Sequence, residues 1–96
     1  LGSLTLHSST QNPNYGIYDA YSCSKTALNA FTVLLANEMR SANFKINSVS
    51  PGYTATDLNQ HQGTQTVEQG ASYIVKLATS GNDVTGKFFK EDEIPW

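Results

Sequence analysis

The chain has 96 residues and a net charge of -2, enough for at most one small domain and with no basic run that would suit nucleic acid or another polyanion. Its single cysteine, Cys23, excludes an intrachain disulfide and a cysteine-based metal site, and its place in a helical stretch suits a small packed residue. No apolar run approaches the roughly 18–20 residues that span a membrane, and no basic start with an apolar stretch marks a signal peptide, so no membrane partner and a cytoplasmic location are expected.

Leu1 to Leu6 is expected to be a strand end running into a loop. The loop continues through His7-Ser8-Ser9-Thr10-Gln11-Asn12-Pro13-Asn14-Tyr15-Gly16, a stretch dense in turn formers. His7 has no partner at metal-ligand spacing and is taken as a loop residue. Asp19 is a suitable N-cap for a helix over about Ala20 to Ala42. Ala27, Phe31, Leu34, Leu35 and Met39 form its apolar stripe, widened by Leu28 and Ala30, and Asn43 suits its end. Phe44 to Ser50 alternates apolar and polar residues as a short strand, with Ile46 and Val49 facing the core. Pro51-Gly52 ends it.

Tyr53-Thr54-Ala55-Thr56-Asp57 then places backbone N–H groups and two hydroxyls at the carboxyl end of that strand, where open α/β sheets bind ligands. Asn59 to Gln65 is polar and expected to be mobile. Thr66-Val67-Glu68-Gln69 is a capping-box pattern, opening an amphipathic helix to about Thr79 whose stripe is Val67, Ala71, Ile74, Val75 and Ala78. Ser80-Gly81-Asn82-Asp83 breaks it. Lys87-Phe88-Phe89 is a short last strand, Glu91-Asp92-Glu93 a solvated acidic run, and Trp96 packs either on the body or at a subunit contact. The alternation of helix and strand argues for part of an α/β parallel sheet, too few strands to stand alone.

The chemistry centres on Tyr21-Ser22-Cys23-Ser24-Lys25. Residues four apart lie one turn apart on one helix face. A phenol is a poor acid or base at neutral pH, and a neighbouring ammonium favours the phenolate and moves it towards useful proton transfer. The plain alternative is an exposed tyrosine beside a solvated lysine, since the spacing alone is common.

About twenty residues after Lys25 comes Ile46-Asn47-Ser48-Val49-Ser50-Pro51-Gly52, followed by Thr56. With Tyr21 and Lys25 opening an Ala-rich helix, this constellation closely resembles the carboxyl-terminal half of a short-chain dehydrogenase/reductase, over about Leu1 to Phe89. Tyr-Thr-Ala-Thr-Asp-Leu and the Pro-Trp ending look most like bacterial or fungal carbonyl-reductase-type members. The resemblance implies the carboxyl-terminal part, here residues 1–96, of one Rossmann-type doubly wound parallel sheet. It also implies an NAD(P)-dependent oxidoreductase acting on a small carbonyl or alcohol, with NADP favoured over NAD. Tyr21 would be the general acid or base, and Lys25 would assist it and bind the nicotinamide ribose. Pro51 and Gly52 would wall the nicotinamide, and Thr54 and Thr56 would bind its carboxamide or the pyrophosphate. Asn59 to Gln65 would belong to the substrate lid, and the Tyr21 helix would supply a homo-oligomer face. Two other readings stay open: a non-catalytic dimerisation or interaction module of the same descent, and a nucleotide-sugar epimerase.

Several parts of the family pattern are missing from this sequence: the Gly-rich dinucleotide fingerprint, the residue that selects NAD or NADP, and an Asn-Ala-Gly-type motif. All precede residue 1 in the family, so these residues are expected to be a fragment that lacks its amino-terminal half and is inactive alone. Leu1-Gly2-Ser3 looks like the segment that follows the catalytic serine, which places that serine before Leu1. Ser8, thirteen residues before Tyr21, is the alternative.

Overall fold

A computed structural model of the chain describes residues 3–8 and 19–96. In chain order these form α1 (Leu4–His7), α2 (Asp19–Glu38), a 3-10 turn (Arg40–Ala42), β1 (Ser48–Val49), a second 3-10 turn (Asp57–Asn59), α3 (Val67–Thr79), β2 (Phe88–Phe89) and β3 (Glu93–Ile94). The sheet order is β1-β2-β3. β1 and β2 are parallel, with Ser48 opposite Phe88 and Val49 opposite Phe89, and α3 is their crossover. β3 returns antiparallel on β2, with Phe88 opposite Ile94. The expected α/β fragment is therefore present, as a small mixed sheet with helices.

Several expectations are corrected at the level of single elements. Leu4 to His7 is one helical turn and not a strand end; the Ser8 N–H donates to the Leu4 carbonyl at 2.9 Å. Most of the expected loop, residues 9–18, lies outside the described residues, as do Leu1 and Gly2. Asp19 is the first helical residue of α2 and not its cap, a position where its charge complements the helix dipole. The helix ends at Glu38 because its last turn tightens, with the Ala42 N–H donating to the Met39 carbonyl at 3.0 Å. Asn43 then stops it in the left-handed region, φ 60°, as its residue type suggested.

The buried face of α2 differs from the expected stripe. Ser22, Asn29, Thr32 and Ala36 are buried, while Ala27, Leu28, Ala30, Phe31 and Leu34 are exposed, Leu34 to 68%. Lys25 falls on the buried side by spacing, three residues after Ser22 and four before Asn29, and is itself partly buried. Small side chains face the sheet because they let the helix backbone come close to it. Leu35 and Met39 are partly buried at the margin of this face.

In α3 the capping box forms as expected. The Thr66 N–H donates to Gln69 Oε1 at 2.8 Å and the Gln69 N–H to Thr66 Oγ1 at 3.2 Å. The face turned inward is Gly70, Tyr73 and Leu77, and the expected stripe Val67, Ala71, Ile74, Val75 and Ala78 is exposed. Ile74, Leu77 and Ala78 instead line an open cleft of about 440 Å³ together with Lys45, Asn47 and Val49.

The acidic run is not wholly solvated. Glu93 enters β3 and pairs with Lys87 at 3.2 Å. Trp96 packs on the body, stacked on buried Phe88 with ring centroids 5.5 Å apart and planes 17° apart. Its carbonyl accepts from the Thr5 N–H at 2.9 Å and the Thr5 hydroxyl at 2.6 Å, and the buried Ser3 hydroxyl donates to the Pro95 carbonyl at 3.1 Å. Lys45 pairs with Asp83 at 2.8 Å, its hydrogen bond and then its charge holding that carboxyl below the ordinary carboxylate value against a small opposing effect of burial.

Two outcomes are expected. Phe88→Ala should destabilise the folded protein by about 3–5 kcal/mol and shift Trp96 emission to the red, measured by fluorescence-detected urea unfolding. Because the Asp83 value is lowered in the folded state, its contribution to stability is present above the ordinary carboxylate value and is lost as pH falls through the lowered one. Carboxyl NMR titration should show Lys45→Met returning Asp83 to the ordinary range, with that acid-side loss diminished.

Candidate functional site

The relation between α2 and β1 fixes where the expected chemistry lies. The Ser48 hydroxyl donates to Thr32 Oγ1 at 2.9 Å, and the Thr32 hydroxyl in turn donates to the Leu28 carbonyl at 2.9 Å. One turn further along the helix, a Cβ added at Gly86 would lie 3.5 Å from the Ala36 Cβ, and the Gly86 N–H donates to the Ile46 carbonyl at 2.8 Å. Stepping from Ala36 back to Thr32 thus accompanies stepping from Ile46 on to Ser48. Four helical residues rise about 6 Å and two strand residues about 6.6 Å, so the two elements run antiparallel and in step. Continued along the helix, the same direction carries α2 back to Lys25 and Tyr21, on the side of the fold towards which β1 runs. The amino end of α2 and the carboxyl end of β1 are at the same edge of the fold.

Tyr21 is half-exposed. The Lys25 ammonium lies 5.4 Å from the Tyr21 ring centroid, within reach of the negative ring face. Such a contact contributes about 0.5–1 kcal/mol at an exposed site and orients both side chains. The Ser24 hydroxyl donates to the Tyr21 carbonyl at 2.7 Å. Ser22, the neighbour of Tyr21 on the sheet-facing side, has a buried hydroxyl oxygen without a hydrogen-bond partner among the described residues.

Beyond β1, the Ser50 N–H makes the last ladder bond, to the Phe89 carbonyl at 2.7 Å. Ser50 Oγ then accepts the Gly52 N–H at 3.3 Å. Gly52 has φ +80°, a conformation that glycine adopts at no steric cost. The Thr54 hydroxyl donates to the Pro51 and Gly52 carbonyls at 3.3 and 3.4 Å, folding the chain back on the Pro-Gly turn. The Thr56 N–H is taken by Asn59 Oδ1 at 3.0 Å. Among the described residues no hydrogen bond joins Tyr21 or Lys25 to Pro51–Thr56; shared position at one edge relates the two groups.

The expected mobile segment is folded. Asn59 Nδ2 donates to the Thr54 carbonyl at 2.8 Å, the Ala55 N–H to the Gln65 carbonyl at 2.9 Å, and the Thr64 N–H to the Tyr53 carbonyl at 2.9 Å. His61 pairs with Asp57 at 2.9 Å. Two residues of this region were missed from sequence, Gln65 and Tyr73. Gln65 Nε2 donates to the Tyr73 hydroxyl at 2.6 Å, and no local motif marks a pair eight positions apart across a helix start. Ser8, the alternative serine, is exposed and its hydroxyl donates to the Thr5 carbonyl at 3.0 Å.

The donor set suits the nicotinamide-ribose end of a dinucleotide: an ammonium, a phenol, backbone at Gly52 without a side chain, and two threonine hydroxyls. Beside it, Gln65 Oε1 is a buried acceptor with no partner among the described residues. Residues 4–67 match the short chain dehydrogenase family, and the chain belongs to it. It is 43% identical over 83 residues to (+)-neomenthol dehydrogenase of Capsicum annuum, covering 85% of this chain and 25% of that protein. Salutaridine reductase from Papaver somniferum superposes with a TM-score of 0.66 at 39% identity, over 73% of this chain and 24% of that one. Carbonyl reductase Sniffer of D. melanogaster superposes with a TM-score of 0.75 at 27% identity, over 98% of this chain and 36% of that one. The chain spans about a quarter of the length of the curated relatives it matches.

Gly70, buried on α3, lets the helix approach Thr54: an added Cβ would lie 2.7 Å from Thr54 Oγ1 and 3.4 Å from the Pro51 carbonyl oxygen. Gly70→Val should therefore destabilise the protein by about 1–3 kcal/mol through overpacking, measured by urea unfolding. Ala71→Val, on the exposed side of the same turn, should stay within about 0.5 kcal/mol of the parent.

Proposed function

We propose that residues 1–96 are the carboxyl-terminal part of one NAD(P)-binding Rossmann-type domain, in a protein that reduces a small carbonyl compound or oxidises the corresponding alcohol. What supports this reading is the contact of the Lys25 ammonium with the Tyr21 ring on α2, towards the side of the fold where β1 runs into the Pro-Gly turn. Membership of the short chain dehydrogenase family supports it.

A bound nicotinamide, with NADP expected over NAD, supplies the hydride. Tyr21 gives its phenolic proton to the substrate oxygen in reduction and takes it back in oxidation. The Lys25 ammonium beside the ring favours negative charge on the phenol oxygen as that proton leaves, and it donates to the ribose hydroxyls. Pro51 and Gly52 wall the nicotinamide, and Thr54 and Thr56 offer hydroxyls to its carboxamide or to the pyrophosphate. The folded segment after Thr56 covers the substrate side. The dinucleotide fingerprint belongs to an amino-terminal half outside these residues, without which they neither bind cofactor well nor turn over. The exposed face of Leu28, Phe31 and Leu34 on α2 is the surface through which a second copy packs.

Tyr21→Phe in the full-length protein should lower kcat by about 10²–10⁴-fold while dinucleotide binding persists, measured with NADPH and NADH against a carbonyl panel. Turnover that survives the substitution would take Tyr21 out of the proton-transfer role, and a folded parent without turnover would leave the non-catalytic interaction module as the better reading.

A further inference from the structure

We propose that Gln65, latched to Tyr73, is the positioning residue of the Pro51–Gly52 wall, and that it sets cofactor affinity without taking part in proton transfer. The proposal rests on the oxidoreductase reading above. Its ground is a convergence at Gly52. The Gln65 carboxamide occupies the space a Gly52 side chain would fill, so that a Cβ there would overlap Gln65 Oε1. The same carboxamide is anchored to α3 through the 2.6 Å bond from Nε2 to the Tyr73 hydroxyl. The Gln65 backbone is bonded on both sides of Thr54: its N–H donates to the Tyr53 carbonyl at 3.2 Å and its carbonyl accepts the Ala55 N–H at 2.9 Å. One residue therefore fixes the relation between the Pro-Gly turn, the Thr54 hydroxyl and α3.

The polarity of this contact matters. Only Nε2 of the carboxamide is used; Oε1 is buried against Gly52 with no partner among the described residues. A buried acceptor left unpaired is disfavoured, and nothing at Oε1 offsets this here. The bond to Tyr73 is what keeps the carboxamide over Gly52. Without it the side chain is free to rotate into solvent, the Gly52 backbone loses its support on that side, and the wall is no longer held in one place. Tyr21 and Lys25 lie on α2, to which Gln65 makes no hydrogen bond among the described residues, so the proton-transfer step should be spared.

The test uses the full-length protein, with NADPH binding measured by calorimetry and turnover measured separately. Gln65→Met, which keeps the bulk over Gly52 and loses the bond, and Tyr73→Phe should each weaken NADPH binding about three- to tenfold, the range expected for one neutral hydrogen bond. The cofactor KM should rise in parallel and by more than kcat falls. The double variant should be no weaker than the weaker single, because both remove the same bond. Unchanged NADPH affinity in both single variants, additive losses, or a fall in kcat with no change in affinity would each overturn the latch. Tyr21→Phe run alongside separates the two levels of argument. Its loss of turnover with an unchanged Gln65→Met affinity rejects the latch alone, and a parent that binds dinucleotide without turnover rejects the oxidoreductase reading. Absence of both NADPH and NADH binding by the parent rejects both.

Discussion

A single hydroxyl-to-hydroxyl contact, Ser48 to Thr32, holds the register of α2 against β1. It is partly buried, and Thr32 is also bonded back to Leu28, so the helix can neither slide nor rotate without leaving polar atoms unpaired in a dry place. Because helix and strand rise at commensurate rates per step, this contact propagates in both directions. Towards the bottom of the sheet it seats Ala36 against Gly86. Towards the top it directs the amino end of α2, with Tyr21 and Lys25, to the side where β1 runs into the Pro-Gly turn. The candidate residues are related by that register and not by hydrogen bonds among the described residues.

How much of this was legible in the sequence depends on how local the cause is. The capping box of α3, the stop at Asn43 and the Pro-Gly turn are written in neighbouring residues and appear where expected. The buried faces of both helices are not local. Periodicity selected Phe31 and Leu34 on α2 and Ile74 and Val75 on α3, the most apolar stripes available, yet the faces turned inward are Ser22, Asn29, Thr32 and Ala36 and Gly70, Tyr73 and Leu77. Close approach needs small side chains, and hydrophobicity does not measure size. β3 was hidden for a related reason: Glu93 and Ile94 are too short a run to show alternation, and a charged residue on an edge strand reads as solvent-facing.

The chemistry-bearing residues were legible as a pattern and illegible as an arrangement. Tyr21 and Lys25 four apart, and a Pro-Gly after a strand, can be read along the chain. That both lie towards the same side of the fold follows only once Thr32 and Ser48 are seen together. The segment after Thr56 shows the reverse error. Its composition of Asn, Gln, Gly and Thr suggested mobility, but Asn59 uses both ends of its amide to bond Thr54 and Thr56 and closes the segment on itself. Polar residues describe a surface segment; whether they hold a shape depends on which backbone groups they meet.

The contact that joins Ser3 and Thr5 to Pro95 and Trp96 spans 92 and 91 positions. Closing a loop of that length costs more chain entropy than forming the neighbouring β2–β3 hairpin, whose paired residues lie within a few positions of each other. The hairpin can therefore nucleate early and present Phe88, with Trp96 arriving on it from a short tail. The meeting of Trp96 with Thr5 must wait until α2, β1 and α3 have brought the two regions within reach. The backbone of Trp96 is therefore fixed at Thr5, beyond a ring that rests on Phe88, only in the finished structure.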